Sequence, residues 1–408
     1  MKIAFISQWF DPETGSAAIP GAIARALQDQ GHDMTVVTGY PNYPTGELYG
    51  GYRMKLLQRE DLRGLRVLRV PLYPSHDSSA VHRALNFLSF MFSASSLGAL
   101  IARRSEVALV YSTPATIGLA GWVLRRLLRT PFVLFIQDLW PDTVTATGMV
   151  PARITRPVEH VLGAFCQRIY AAASVILVIS PGMKELLVER GVPETKIRVV
   201  YNWIDEDMFR PVEPVEVGSD TFDVMYAGNL GDVQGLETAV RAIARLDDLP
   251  HVRLRLVGDG VARGKLADLA AQLGVAERVV FEGTRPVEEM STTMASAHIQ
   301  LVCLKDIPLF RVTMPSKIQG ILASGQPMIV CAPGDAAALA ERSGAGVTTK
   351  AGDVGALAAA IRHCSLMPSE KLRAMGRRGH LFYERELSAK VGVMAMEQAL
   401  EEAARWRA

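Results

Sequence analysis

The stretch YAGNLGDVQGLE, residues 226–237, joins an apolar run to a helical pattern through a short loop that holds Gly228 and Gly231. The run 224–227 has the composition of a buried strand, and the helical pattern begins near Gly235. A glycine loop between a strand and a helix allows backbone N–H groups to approach a phosphate. The loop itself contains no lysine or arginine. The stretch therefore predicts a phosphate cradle whose positive charge comes from another part of the chain.

The same alternation of short apolar strands with helical stretches fills both halves of the chain. This alternation is typical of βα units on a parallel sheet, and 408 residues exceed one ordinary core. The predicted fold class is α/β, with two Rossmann-like doubly wound domains that face each other across a cleft. We expect an N-terminal domain at 1–205, a Pro- and acid-rich linker at 206–221, a C-terminal domain at 222–385, and a terminal helix at 386–408 that packs back toward the N-terminal domain.

The composition excludes several classes of protein. A formal net charge of +2 argues against a nucleic-acid partner, although residues 1–205 carry 21 basic and 16 acidic residues and could face an anionic surface. The four cysteines and eight histidines show no metal-ligand spacing, so no metal is expected. The sequence starts directly with a strand pattern rather than a signal peptide, which predicts a cytoplasmic location.

The segment Ala84–Ala102 contains 19 residues without a charge, close to the length of a membrane span. In a regular helix, Asn86, Ser89, Ser93 and Ser96 would share one face, with apolar side chains on the others. A buried helix of the domain is the favoured interpretation. A helix that rests on the membrane surface, and a true span, are the alternatives.

In the second predicted domain, each informative loop follows the carboxyl end of a strand, where doubly wound sheets bind ligands. The glycines and neutral donors of these loops are Gly228, Asn229, Gly231, Gln234 and Gly258. Arg263 follows the loop at Gly258, and Arg285 lies between the next strand and its helix. Ser316 and Lys317 open a further helix, where the helix dipole favours an acid over a lysine. Lys317 therefore indicates a bound anion, with an ordinary surface lysine as the alternative.

In the first predicted domain, a buried-type strand runs out into two carboxylates, of which Asp138 lies nearer the strand end. Asp138 is the candidate for contact with a reacting group, and helix capping is the alternative role. Gly15 and Ser16 precede a helix and can offer N–H groups to an anion. Asn202 and Asp205 follow the last strand of this domain, and ordering of the hinge is their favoured role.

Other kinds of site are disfavoured by the same loops. The stretch 228–231 is not G-x-G-x-x-G, and no lysine follows a glycine-rich loop as in a Walker motif. No G-x-S-x-G elbow occurs. These absences argue against a dehydrogenase, a kinase and a serine hydrolase.

Taken in order, the motifs resemble the retaining glycosyltransferases of the GT-B fold, family 4. The motifs that carry this resemblance are AGNLG with QGLE at 227–237, GDG at 258–260 with Arg263, PSK at 315–317 and LASGQP at 322–327. In the first half, PNYPTG at 41–46 and DLWPD at 138–142 are similar to the subgroup that builds colanic acid, capsule and O-antigen repeat units. The resemblance covers essentially the whole chain.

The resemblance implies an enzyme of the hexosyltransferase type, without metal or cofactor, in which the second domain binds a nucleotide-diphosphate sugar and the first binds the acceptor. It assigns catalytic roles to Asp138 and Lys317. The donor-binding residues that it implies are Gly15, Ser16, Gly228, Asn229, Gly231, Gln234, Gly258, Arg263, Arg285, Thr313, Met314, Ser316 and Lys317. The residues that it places at the acceptor or the hinge are Asn42, Tyr43, Trp140, Asn202 and Asp205.

The implied reaction is front-face transfer with retention, in which the leaving phosphate oxygen takes the acceptor proton. A UDP-sugar is the favoured donor. The implied acceptor is a glycan linked to polyprenyl diphosphate, with the enzyme on the inner face of the plasma membrane.

This sequence departs from the family pattern at four positions. Asn229 and Gln234 stand where much of the family has arginine and lysine, and Val312 and Gly320 stand where the wider family has two glutamates. The second of those glutamates usually holds the ribose hydroxyls, so ribose recognition and the identity of the base stay open.

Three other functions fit the same residues. The first is a glycosyltransferase with a soluble acceptor, and the second is a sugar-nucleotide 2-epimerase of the same fold. The third is a nucleotide-sugar-binding protein without catalytic activity, which the residues Val312 and Gly320 favour.

Overall fold

The computed structural model describes residues 1–76, 79–146, 155–212 and 220–406, and the side chains of Ser16 and Ala146 lie outside that description. The chain divides into two compact units. The first unit contains Met1–Val200 together with Val393–Ala408, and the second contains Tyr201–Gly392.

In its described residues, the first unit contains one eight-stranded sheet with the strand order β3-β4-β2-β1-β5-β6-β7-β8. The strands are β1 (Lys2–Ile6), β2 (Asp33–Thr38), β3 (Gln58–Leu62), β4 (Leu65–Arg69), β5 (Val107–Ser112), β6 (Phe132–Ile136), β7 (Val175–Val178) and β8 (Ile197–Val199). The helices that precede the second unit are α1 (Ile19–Asp29), α2 (Ala80–Ser93), α3 (Ala99–Ala102), α4 (Gly118–Leu127), α5 (Asp142–Ala146), α6 (Thr155–Ala172) and α7 (Pro181–Glu189). Every residue of the central strands β5 and β6 is buried, as expected for a sheet covered on both faces.

The second unit contains a six-stranded parallel sheet with the order β11-β10-β9-β12-β13-β14. The strands are β9 (Phe222–Ala227), β10 (Val252–Val257), β11 (Val279–Gly283), β12 (Ile299–Cys303), β13 (Met328–Cys331) and β14 (Gly346–Thr349). The helices are α8 (Glu237–Ala244), α9 (Arg263–Gln272), α10 (Met290–Ala295), α11 (Pro308–Arg311), α12 (Ser316–Ala323), α13 (Asp335–Ser343), α14 (Val354–Ser365) and α15 (Ser369–Glu386), followed by α16 (Ala389–Arg405). Two largely parallel sheets with connecting helices confirm the predicted α/β fold class.

Strand β3 is an element that the hydrophobic pattern did not predict. It pairs antiparallel with β4 at the edge of the first sheet, and its sequence is QREDL. Because an edge strand of this composition has no apolar face, the period-two pattern of a half-buried strand is missing. A turn with Arg63 and Gly64 at positive φ joins the two strands.

Only part of the segment that leads into β9 serves as a connection, and the rest packs against the second unit. Residues 213–219 of the predicted linker 206–221 lie outside the described residues. Before them, Phe209 packs against an apolar cluster of the second unit, and the Arg210 N–H donates to the Ser291 hydroxyl at 3.1 Å. The chain is thus anchored on the second unit as far as residue 210.

The terminal helix α16 contributes most of its length to the first unit. The Glu397 carboxylate accepts a hydrogen bond from Nε2 of the His32 imidazole at 2.8 Å. Glu402 forms an ion pair with Arg198 at 3.2 Å. These contacts join the end of the chain to elements from its beginning.

The helical segment Ala80–Ala102 has an unusual polarity. A π-helical turn, Ala94–Gly98, separates α2 from α3. Asn86 donates to the Tyr73 carbonyl at 2.7 Å, and the Ser93 hydroxyl donates to the Pro71 carbonyl at 2.5 Å, so the polar stripe faces the protein. Several apolar side chains point outward instead, although Phe90 and Met91 are buried.

The exposed stripe of this segment contains Val81, Leu85, Leu88, Phe92 and Leu100, with exposures of 67% for Val81 and 64% for Phe92. Ser96 also lies on this side, which differs from its expected place beside Asn86, Ser89 and Ser93. The wider π-helical turn shifts the register between Ser93 and Ser96. The favoured prediction of a buried domain helix is therefore wrong for the outer face. Within the described residues, this is the one helix long and apolar enough to cross a membrane by length and composition.

Candidate functional site

Three glycine turns stack at the carboxyl ends of β9, β10 and β11. The Gly228 N–H donates to the Val257 carbonyl at 2.8 Å, and the Gly258 N–H donates to the Gly283 carbonyl at 2.7 Å. Gly228 and Gly258 both have φ of 135°, which favours glycine. A Cβ at Gly258 would collide with the backbone of Gly228. The three strand ends therefore meet through backbone alone.

The two neutral amides of the first loop converge above its second glycine. A Cβ at Gly231 would lie 2.7 Å from Gln234 Oε1 and 2.9 Å from Asn229 Nδ2. Among the described residues, Gln234 Oε1 is buried and has no hydrogen-bond partner. The Leu230 N–H donates to the Asp259 carbonyl at 2.9 Å and ties this loop to the next. The two amides offer polar groups without charge, and the charged side chain of this loop, Asp232, pairs with Lys265 at 3.3 Å.

The positive charge comes from the first turn of α12. A Cβ at Gly228 would lie 2.5 Å from Lys317 Cε and 2.6 Å from its Nζ, so the lysine lies directly on the glycine turn. The ammonium donates to the Tyr226 hydroxyl and stands 3.8 Å from the centre of the Tyr226 ring. Tyr226 in turn donates to the Asn229 carbonyl at 2.7 Å. One tyrosine thus connects the lysine to the phosphate-type loop.

Lys317 has an altered pKa in this environment. Burial lowers the pKa of Lys317 to about 8, and the nearby Cys303 thiol of β12 offsets this in the opposite direction. Burial also raises the pKa of Tyr226, so its hydroxyl stays neutral and can accept from the lysine. The lysine has a hydroxyl and an aromatic ring as neighbours. An arriving anion would supply the counter-charge.

The two arginines near this loop are engaged with acids of their own loops. Arg263 pairs with Asp259 at 3.6 Å, and its guanidinium carbon lies 5.9 Å from the centre of the Phe281 ring. Arg285 pairs with Glu282 at 3.6 Å. Both side chains remain about half exposed and can reorient toward a ligand.

The residues just before α12 and at its start differ in the groups that they offer to a ligand. The Thr313 hydroxyl donates to the Leu309 carbonyl at 2.8 Å and so fixes the loop. Met314 is buried in an apolar cluster, where only its backbone is left for a ligand. Ser316 begins the helix and is exposed.

Gly320 has a structural explanation that the sequence did not show. A Cβ at Gly320 would lie 3.2 Å from both Cδ1 and Cε1 of Phe209, the residue anchored ahead of β9. The aromatic ring therefore fills the space that a side chain at 320 would need. The Asp205 carboxylate accepts from the Asp207 and Met208 N–H groups at 3.1 and 3.3 Å and shapes the turn that delivers Phe209.

The Asn202 carbonyl accepts a hydrogen bond from Gln319 Nε2 at 2.6 Å, in the same part of the second unit. The Asn202 carbonyl thus ties the segment 201–212 to α12, and Asp205 shapes the turn within that segment. A role of these two residues in ordering the hinge stays a prediction.

In the first unit, Asp138 follows β6 at the carboxyl edge of the sheet. The Thr113 hydroxyl, after the neighbouring strand β5, donates to Asp138 Oδ2 at 3.3 Å. Burial raises the pKa of Asp138, and the hydrogen bond from Thr113 offsets part of that rise. Trp140 is buried, with its ring edge-to-face on Phe87 at 6.1 Å between centres. Asp138 is thus a carboxylate in a largely desolvated position beside aromatic side chains.

Glu13 is a site residue that the sequence did not single out. It is buried, and its carboxylate accepts from the N–H groups of Phe10 at 3.0 Å, Asn42 at 2.8 Å and Tyr43 at 2.9 Å. It therefore ties the loop after β1 to the loop after β2. Burial raises the pKa of Glu13, and the three backbone hydrogen bonds oppose that rise. In the sequence, the indication of this role was the acidic residue itself, two positions before Gly15 in a loop at an otherwise apolar edge.

The other predicted residues of this edge have distinct environments. Asn42 is buried and donates to the Tyr40 carbonyl at 2.8 Å, so it shapes its own loop rather than facing a ligand. Gly15 has φ of 66° and starts a short 3-10 helix, Gly15–Ala18, that leads into α1. A Cβ at Gly15 would meet no atom within 4 Å, so the space beside it is open. The side chain of Ser16 lies outside the described residues.

No group of three or more His, Cys, Asp or Glu side chains with the geometry of a metal site occurs within the described ranges.

Two family models match the chain, one on each side of the segment 204–220. The model described as "Glycosyl transferase 4-like domain" matches residues 14–203, and the model described as "Glycosyl transferases group 1" matches residues 221–365. The chain is also similar to the putative colanic acid biosynthesis glycosyl transferase WcaI of Escherichia coli. The two are 29% identical over 387 residues, which covers 90% of this chain and 93% of WcaI.

Solved structures agree on the fold. Anabaena HepE, in complex with UDP and glucose, superposes with a TM-score of 0.68 at 18% identity, covering 98% of this chain and 99% of that one. Sucrose-phosphate synthase from Thermosynechococcus elongatus gives a TM-score of 0.71 at 19% identity, with 98% of each chain covered. These structures show the GT-B fold, and the two family models with the relative WcaI show that the chain belongs to the family 4 glycosyltransferases and is an enzyme of the hexosyltransferase type.

Proposed function

We propose that this enzyme transfers a hexose from a UDP-sugar to a hydroxyl of a lipid-linked glycan, with retention and without a metal, in surface polysaccharide biosynthesis. The observation that supports this most strongly is Lys317 on the glycine turn of β9. Its ammonium lies on the turn at Gly228, in the loop that also carries the amides of Asn229 and Gln234, and this arrangement suits a diphosphate. The likeness to WcaI favours a polysaccharide product.

A diphosphate leaving group explains the chemistry of this loop. A glycine turn lets the phosphate approach the backbone, and a single buried ammonium stabilises the charge that develops as the leaving group departs. The neutral amides Asn229 and Gln234 add hydrogen bonds without adding charge. HepE, a neighbour in fold, has been solved with UDP, which favours uridine as the base.

The proposed step breaks the bond between the sugar C1 and the diphosphate oxygen and forms a bond from C1 to the acceptor oxygen on the same face. The acceptor proton goes to the departing phosphate oxygen, so the protein does not need a separate base. Lys317 stabilises the diphosphate, and Asp138 positions the transferred sugar or the acceptor hydroxyl.

The outward apolar stripe of Ala80–Ala102 supports an acceptor carried by a membrane. Val81, Leu88 and Phe92 present carbon to the outside, and Arg103 and Arg104 at the end of the segment are exposed and basic. A helix with this arrangement rests on an anionic bilayer surface with its apolar side inserted. The enzyme would then act at the cytoplasmic face of the membrane, on a polyprenyl-diphosphate glycan.

The donor is tested by a thermal-shift screen with UDP-, GDP- and dTDP-sugars. A ligand that binds the native state raises its melting temperature, and we expect UDP-sugars to give the largest rise. A larger rise with GDP- or dTDP-sugars would contradict the choice of base. Turnover of the donor without any acceptor would instead favour a sugar-nucleotide 2-epimerase.

Membrane contact is tested by sedimentation with vesicles of phosphatidylglycerol and phosphatidylethanolamine. We expect the wild type to sediment at low salt and a Leu88→Ser, Phe92→Ser double variant to stay largely in the supernatant. The control is Leu366→Ser, at an apolar residue of the second unit that is 69% exposed. Wild-type protein that remains soluble with every vesicle would favour a soluble acceptor.

A further inference from the structure

Three aromatic side chains come together at the carboxyl edge of the first sheet, and of these the resemblance assigns only Tyr43 to the acceptor or the hinge. The rings of Trp9 and Tyr43 have centres 5.9 Å apart, and those of Tyr43 and His76 are 4.9 Å apart in an edge-to-face contact. Trp9 follows β1, Tyr43 follows β2, and His76 lies beyond the end of β4. We call these three residues the aromatic cluster.

The aromatic cluster stays partly open to solvent. Trp9 and Tyr43 are half-buried, and His76 is exposed. Large aromatic side chains bury most of their surface when they only fill a core. Three of them gathered at one accessible place, on the edge where doubly wound sheets bind ligands, indicate a recognition surface.

The backbone beneath the aromatic cluster is held firmly. The buried Glu13 carboxylate accepts from the Tyr43 N–H at 2.9 Å, and the Tyr49 hydroxyl donates to the Tyr43 carbonyl at 2.6 Å. The Ser7 hydroxyl donates to the Trp9 carbonyl at 2.7 Å. Both peptide groups of Tyr43 and the carbonyl of Trp9 are thus fixed by side chains from elsewhere in the loops.

Gly46 brings the third ring to the other two. Its φ is 81°, and a Cβ at this position would lie 2.9 Å from the Ser75 carbonyl carbon and would collide with the His76 nitrogen. The loop after β2 can therefore pack directly on the backbone that carries His76. The rings are pre-organised, which reduces the entropy lost when a ligand binds.

We propose that Trp9, Tyr43 and His76 bind a neutral pyranose ring of the acceptor glycan by stacking. The apolar C–H face of a pyranose carries partial positive charge and packs on the negative face of an aromatic ring. Its hydroxyls remain free for polar partners. That this sugar belongs to the acceptor rests on the proposed function, whereas binding of a pyranose does not.

The charges around the aromatic cluster favour a neutral ligand. Burial lowers the pKa of His76 from its usual value, and the nearby Arg83 guanidinium lowers it further, so both disfavour the charged imidazolium. The buried Glu13 carboxylate lies beneath the loop and is occupied by three backbone N–H groups.

The inference is tested by saturation-transfer NMR with methyl α-glucopyranoside, methyl β-galactopyranoside and methyl α-mannopyranoside, with glycerol as a polyol without a ring. We expect transfer to at least one glycoside, on its C–H face, and none to glycerol. Trp9→Ala and Tyr43→Ala should each reduce the transfer at least fivefold. Tyr43→Phe keeps the ring and should retain the signal.

The matched control is Trp406→Ala, which removes a tryptophan that is 58% exposed near the end of the described chain. Transfer from this variant should equal that from the wild type. No glycoside signal in the wild type, or a signal unchanged in both alanine variants, would overturn the inference. Near-UV circular dichroism and the thermal shift with UDP report whether each variant is folded.

The two proposals fail separately. Protein that binds UDP but none of the glycosides refutes the sugar-stacking site and leaves the donor site intact. Protein that binds glycosides through the aromatic cluster but no nucleotide refutes the donor proposal alone.

Discussion

The carboxyl edges of the two sheets are built from the same strand–loop–helix units but carry opposite chemistries. In the second unit, the edge consists of glycine turns and neutral amides, with Lys317 as a buried ammonium. In the first unit, the edge carries the desolvated carboxylates Glu13 and Asp138 among aromatic side chains. The parallel sheet fixes where the loops meet, and the side chains in the loops decide what they can bind.

The difference follows from the ligands that each edge suits. A nucleotide diphosphate needs close backbone and positive charge. An unpaired carboxylate beside it would repel it, whereas Asp259 and Glu282 of the second edge are each paired with an arginine. A neutral sugar needs apolar faces and polar groups that orient its hydroxyls. Substitutions confined to one edge test whether the two edges differ in this way.

Removing the cation of the second unit should have the largest effect. We expect Lys317→Ala to lower kcat about 10²- to 10³-fold, the usual effect of deleting a group that stabilises a developing anion. Release of UDP from the donor in the presence of acceptor measures this. Lys265→Ala is the control, since that lysine is 70% exposed and pairs with Asp232. Turnover that survives in Lys317→Ala would remove the basis of the donor site.

Neutralising the carboxylate of the first unit should have the next largest effect. We expect Asp138→Asn to lower kcat about 10- to 100-fold, because a hydrogen bond to a charged group is worth about 1.5–3 kcal/mol. The thermal shift with UDP should not change, because that ligand belongs to the other edge. Asp142→Asn is the control, in which the lost partner is Arg190 at 2.6 Å. Equal losses of kcat in both variants would mean that Asp138 affects activity only by stabilising the fold.

The pKa of about 8 for Lys317 gives two pH effects of opposite sign. A diphosphate needs the ammonium, so the Kd for UDP should be flat below pH 8 and rise up to about tenfold per pH unit above it. Calorimetric titrations at pH 7, 8 and 9 measure the Kd. Lys317→Arg, which stays charged, should abolish the rise.

Stability without ligand should change the other way. The folded pKa lies below the usual 10.5, so between these values the unfolded chain binds more protons than the folded one. The contribution of Lys317 to the free energy of unfolding therefore increases with pH across that window. Denaturant unfolding of the wild type and Lys317→Met at pH 8 and 10 tests the sign, and a decrease specific to the wild type would contradict it.

Filling the space at Gly320 should have the smallest effect. The ring of Phe209 lies 3.2 Å from the place of a Cβ, so Gly320→Glu should overpack the contact and destabilise the fold by about 1–3 kcal/mol. The melting temperature measures this. Gly264→Glu is the control, because a Cβ on that exposed helical glycine would meet nothing within 4 Å. Equal melting temperatures for both variants would show that Phe209 moves aside freely.

Much of the second edge could be predicted from the sequence. The apolar run before Gly228 and the glycines after each strand are local patterns, and parallel sheets bring strand ends together. Lys317 stood out because a lysine at a helix start opposes the dipole. The contact between Lys317 and Tyr226, 91 residues apart, needed the structure.

The first edge was less predictable. In the sequence, Glu13 looks like a surface acid, because the burial of a loop residue leaves no periodic pattern. Strand β3 was not predicted because it has no apolar face. For α2, periodicity identified two stripes but could not tell which one faces the protein. The π-helical turn at Ala94–Gly98 then moved Ser96 to the other side. The packing of Phe209 against Gly320 likewise depends on a distant segment.

The sheltered state of Lys317 has a practical consequence for chemical labelling. With a pKa of about 8, its amine is unprotonated at pH 7.5 roughly 200 times more often than that of an ordinary lysine. A mild acylating reagent such as an aryl ester should therefore modify this nucleophile ahead of surface lysines. A bound nucleotide should protect Lys317 from the reagent, so the extent of labelling would report donor occupancy in whole cells.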